Sequence, residues 1–171
     1  MAFISLALPW WTMSMSPEAM GIKVSSDVSI SPHQATASAM GTSATVTVDL
    51  WFGQAAIALI VIAGIAAIVG SLIIGKTGKM ILTVAGILAL LSILIFAVGL
   101  QGELSKAPPV SGFPEVGLFS SGSWSFMGAS VNYQSYLSFG FWLALIAAII
   151  AFISLGKHPT VPPEAPTTPE S

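Results

Sequence analysis

The side chains able to do chemistry in this sequence are few and far apart. There is no cysteine, which removes thiol nucleophiles, zinc–thiolate centres and disulfides together. A transition-metal site needs several His and carboxylate ligands at suitable spacing, and the nearest approach is His33 with Asp27. A lone surface histidine is ordinarily just solvated. The other histidine, His158, follows the last apolar run, and no apolar run contains a haem-ligating His. A serine nucleophile needs a base within reach; only His33 is available, and Gly-x-Ser-x-Gly does not occur. The acids Glu18, Asp27, Asp49, Glu103 and Glu115 show no spacing that groups two of them as a glycosidase pair. Gly70-x-x-x-x-Gly75-Lys76-Thr77 matches a P-loop in letters. A P-loop follows a strand and opens a helix, whereas Gly70 to Gly75 is the apolar end of a hydrophobic run. We therefore assign no catalytic residue, no metal and no cofactor, and read the chain as non-catalytic.

The elements that carry these residues are dominated by apolar runs. Of the 171 residues, 54% are hydrophobic and 7% charged, against roughly 25% charged in a soluble domain. Five Lys and no Arg cannot form a basic nucleic-acid-binding patch, so the first partner is the lipid bilayer. Crossing a hydrocarbon core takes about 20 apolar residues, and three stretches qualify: 50–75, 80–100 and 136–156. None contains Lys, Arg, Asp, Glu or His. The expected fold class is an all-α transmembrane bundle of three spans with a small extracytoplasmic β-rich layer. Lys76 and Lys79 in the 76–79 turn, and Lys157 after the third span, place those ends in the cytoplasm by the positive-inside rule. The protein is then a multi-pass protein of the cell membrane, with 1–49 and 101–135 outside.

The N-terminal run Ala2 to Trp11 is apolar but too short to span. It reads either as the outer end of a truncated first helix or as a short outward segment or strand. Ala-Phe-Ile-Ser-Leu occurs at 2–6 and again at 151–155. Period-two alternation over 22–30 and 44–50 predicts strands, with 12–15 a candidate third. The 101–135 loop predicts a hairpin turning at Ser121-Gly122. The segment 157–171 is Pro-rich and reads as an extended cytoplasmic tail.

Two sets of residues suggest interactions. Gly140, Ala144 and Ala148 recur every four residues, as do Ala63, Ala67 and Ser71, and small residues at this spacing let membrane helices approach closely. Trp10, Trp11, Trp51 and Trp142 are candidate interface anchors, because Trp favours headgroup depth. No ionisable group and no Pro interrupts a span, so the signatures of ion-coupled carriers are missing.

Pro9-Trp10-Trp11 at a helix exit, a β-rich outer segment leading to Asp49-Leu50-Trp51, and two helices joined by a short basic turn complete a pattern. In order of elements the chain resembles claudin-like four-helix membrane proteins, and prokaryotic membrane proteins whose first span ends in Pro-Trp-Trp. The claudin first loop carries Gly-Leu-Trp and two Cys; this sequence has no Cys, and its Gly117-Leu118-Phe119 lies in the other loop. The resemblance therefore implies an architecture and not a junction-forming activity. The expected function is a structural or accessory subunit of a larger membrane complex, with other membrane subunits or further copies of itself as partners. The alternative is a self-associating surface protein; an enzyme or transporter in its own right ranks below both.

Overall fold

The computed structural model describes residues 1–19, 22–47, 49–106, 116–126 and 129–157. The order is α1 (Ala2–Leu6), β1 (Trp11–Ala19), β2 (Ile22–Lys23), β3 (Ser26–Ser31), β4 (Gln34–Ala39), β5 (Thr42–Thr47), α2 (Trp51–Leu72), α3 (Lys76–Lys106), β6 (Ser120–Phe126), β7 (Ala129–Leu137) and α4 (Phe139–Lys157). Helices α2, α3 and α4 are each long and apolar enough to cross a membrane. The all-α expectation needs correcting, since the strands form one fully antiparallel sheet in the order β5-β4-β3-β1-β7-β6, with β2 pairing the far end of β1.

The sheet is larger than its local sequence suggests because β1 recruits β7 from beyond two helices. Trp11 opposes Leu137 and Glu18 opposes Ser130. Along β7, Val131, Tyr133, Ser135 and Leu137 are buried while Asn132, Gln134 and Tyr136 are exposed, the period-two pattern of a half-buried strand. That pattern lies in the outer loop and in the first residues of the expected third span, so the helix starts at Phe139 instead of residue 136. The expected strand at 22–30 is split into β2 and β3, and the one at 44–50 ends at Thr47. Ser121-Gly122 is no turn: both residues lie inside β6, opposite Gln134 and Tyr133. Glycine is needed at 122 for another reason, as a Cβ there would come within 2.9 Å of the Tyr133 ring. The connection between β6 and β7 at 127–128 lies outside the described residues.

Helix α3 packs against both α2 and α4, and α1 lies against α4 and α2. Gly78, Leu82, Ala85, Ala89, Ser92 and Phe96 form the buried seam of α3. Their spacing alternates four and three, the rhythm of left-handed helix packing. Lys76 to Lys79 form the first turn of α3 and not a separate loop. The reversal is made at Ile73–Gly75, where Gly75 has φ +100°, a left-handed conformation that glycine adopts without steric cost. With 31 residues α3 is roughly 46 Å long, longer than a hydrocarbon core, and its last turns meet the segment just ahead of β6. There the Leu118 N–H donates to the Gln101 side-chain oxygen (3.2 Å).

Candidate interaction site

The residues with chemical potential are not assembled. His33 is exposed in the Pro32–His33 turn between β3 and β4, and Asp27 lies four residues before Ser31 on the same strand. At 3.4 Å per residue they are separated by roughly 14 Å along the sheet. Among the described residues no three His, Asp or Glu come together as a metal site; His158 and Glu115 lie outside them. Glu103 pairs with Lys106 on the last turn of α3 at 2.8 Å, both well exposed. Asp49 accepts a hydrogen bond from the Gln54 amide across the start of α2. Gly70 of the P-loop-like run lies in α2, so that run is helix–turn–helix and lacks the preceding strand a phosphate cradle requires.

What the fold does assemble is a junction around Trp10. This side chain is fully buried, and its indole N–H donates to the Ser5 carbonyl at 2.8 Å. Its backbone N–H donates to Ile30 of β3, and its carbonyl accepts from the Ser138 N–H, both at 2.9 Å. Its ring meets Phe96 edge-on at 4.9 Å and Phe141 at 6.3 Å, and Phe52 meets Phe96 at 5.8 Å. These are favourable aromatic geometries worth about 0.5–1.5 kcal/mol each beyond area burial. One residue thus ties α1, the sheet, α3 and α4 together. Trp11 is 2% exposed. Neither Trp10 nor Trp11 faces the headgroups, which corrects their assignment as anchors. An apolar pair at a helix exit satisfies either role, and the pairing of β1 with β7 places it inside. Trp51 and Trp142 remain outward, 67% and 46% exposed.

The small residues of the spans divide in the same way. Ala144 and Ala148 are fully buried and Ala63 nearly so. Gly140 is buried against the N-terminal segment, with a notional Cβ 2.5 Å from the Trp10 ring and 2.7 Å from the Leu8 carbonyl oxygen. Ala67 is half-buried. Ser71 is exposed and returns its hydroxyl to the Ile68 carbonyl of its own helix. Sequence spacing missed other positions of close approach: Gly53 against the Pro32 carbonyl, Gly99 against the Phe52 ring, Gly64 against Phe3 and Gly86 against Phe152. It also missed Ser92, whose buried hydroxyl donates to the Ala56 carbonyl of α2 at 2.8 Å. A glycine opposite an aromatic ring on a neighbouring helix is a signal visible only once the helices are paired.

Below α1 the helices leave a crevice of about 300 Å³. Ala85 and Ala89 of α3, Gly64 and Ala67 of α2, and Ala147 and Ala151 of α4 line it, together with Phe3 of α1. The lining is almost wholly apolar, and a water molecule needs two to four polar partners, so the crevice is a place for hydrocarbon. Compared with protein-family models and with curated proteins, the chain matches none.

Proposed function

We propose that this chain is a non-catalytic structural subunit of a larger membrane assembly. It crosses the cell membrane three times, with the sheet outside and Lys76, Lys79 and Lys157 on the cytoplasmic side. The observation that carries the reading is the crevice below α1. Small residues on three helices make a surface that a further apolar helix can approach closely, and close approach is what drives association in lipid, where hydrophobic burial contributes little. Its occupant is an apolar helix of a partner subunit. A photo-crosslinking residue at Ala67, in the full chain in its own membrane, tests this. A crosslink to a second polypeptide at fixed ratio supports it; adducts with lipid alone overturn it. Ala67→Phe fills the crevice and should abolish co-purification of that partner while the chain still folds.

A second reading, a self-associating surface protein of claudin-like architecture, is favoured by one observation. Both outermost strands of the sheet present exposed residues to their surroundings.

A further inference from the structure

The two edges of the sheet share three properties. Strand β5 is exposed at all six positions, Thr42 to Thr47. The far strand, β6, is exposed at Ser121, Gly122, Ser123 and Ser125. Among the described residues each has a single strand neighbour, β4 and β7 respectively. Neither strand contains a charged residue or a proline, the devices that ordinarily block edge-to-edge pairing. The β4–β5 hairpin from Gln34 to Thr47 has no charge anywhere, and Met40 and Val46 on it are 80% and 63% exposed.

Strand direction then selects the partner. Six strands alternate in direction across the sheet, so β5 runs toward the helices and β6 runs away from them. Two copies standing the same way up in one membrane can bring β5 of one against β6 of the next, and the pair is antiparallel. The like-edge pair, β5 against β5, is parallel for copies in that orientation, and parallel pairing is less stable per residue. Neutral edges also meet without like charges facing one another, which would be destabilising. We propose that copies of this chain join edge to edge, β5 to β6, into a continuous antiparallel sheet on the membrane surface. This rests on the self-association reading and specifies its contact. A heterologous contact of this kind propagates into a ring or an open array and does not stop at a dimer.

The register within one sheet gives the contact its address. Ser121, Gln134, Ser14, Asp27, Ser38 and Ser43 lie in one row across all six strands. Continued at the same height, Ser43 meets Ser121 of the next copy. Opposed antiparallel residues have Cα atoms about 4.5–5.5 Å apart, within disulfide range, and the chain has no cysteine to confuse the result. The test co-expresses two differently tagged full-length chains in membranes, one carrying Ser43→Cys and the other Ser121→Cys, with Ser123→Cys as a register-shifted alternative. After mild oxidation the expected result is a mixed disulfide joining the two tags, and a ladder of multimers from Ser43→Cys/Ser121→Cys in one chain. Ser43→Cys linked only to itself overturns the edge-to-edge polarity. Co-purification of the two tags without any disulfide overturns the edge contact but leaves self-association standing. Failure of the tags to co-purify overturns both.

Discussion

Gly140→Ala places a single methyl group against the Trp10 junction. The new Cβ would lie 2.5 Å from the Trp10 ring, 2.7 Å from the Leu8 oxygen and 2.8 Å from the Pro9 oxygen, where ordinary carbon contacts are about 3.5–4.0 Å. Trp10 cannot withdraw, because it is fully enclosed and held through its indole, its amide and its carbonyl. The start of α4 must move instead, and that strains the Gly140 N–H bond to Pro9 and the Ser138 N–H bond to Trp10. Overpacking costs about 1–3 kcal/mol, and each weakened hydrogen bond about 0.5–1.5 kcal/mol. Alanine's better helix propensity returns about 0.5–1 kcal/mol. The net loss is about 3 kcal/mol, more than a hundredfold in the folding equilibrium. SDS-driven unfolding in mixed micelles, followed by circular dichroism, measures it. Gly102→Ala is the matched control: nothing lies within 4 Å of its notional Cβ, so it should stabilise α3 by about 0.5–1 kcal/mol. If Gly140→Ala unfolds at the wild-type midpoint while Gly102→Ala shifts as expected, residues 8–10 do not dock on α4 and the reasoning fails.

Further predictions address the remaining contacts. Ser92→Ala removes the α3-to-α2 hydrogen bond and should cost about 0.6–1.5 kcal/mol in the same titration; an unchanged midpoint would show that the bond contributes nothing net. In single-Trp variants, chain-brominated lipid should quench Trp51 and Trp142 and leave Trp10 unaffected, and efficient quenching of Trp10 would place it outside the core. Thr77→Cys and Ser105→Cys, each the sole thiol, should react with an impermeant maleimide from opposite faces of sealed vesicles, Ser105→Cys from the outside. Labelling of both from one side would refute the three-span topology.

Much of the architecture was legible from local composition. The spans at 50–75 and 80–100 emerged as α2 and as the middle of α3, and uninterrupted apolar runs of that length leave the backbone few choices. The repeated pentapeptide is helical in both places, as α1 and within α4. Ala144, Ala148 and Ala63 are buried, whereas Ser71, on the same four-residue rhythm, is exposed. Small-residue spacing marks a helix face but does not say where that face ends. The hairpin at Ser121-Gly122 misled because glycine has two uses, turning a chain and making room for a ring, and Tyr133 supplies the second.

By itself the sequence determined that this chain has three helices of membrane length and strand-forming segments outside them. Those are properties of neighbouring residues, and hydrophobicity and β-branching act over a few positions. The tertiary structure alone decided that residues 11–19 pair with 129–137, that Trp10 and Trp11 turn inward as the joint between sheet and helices, and that an even number of antiparallel strands leaves two neutral edges of opposite direction. Each depends on which distant segments meet and in what register. An apolar side chain specifies that it will be buried, not against what.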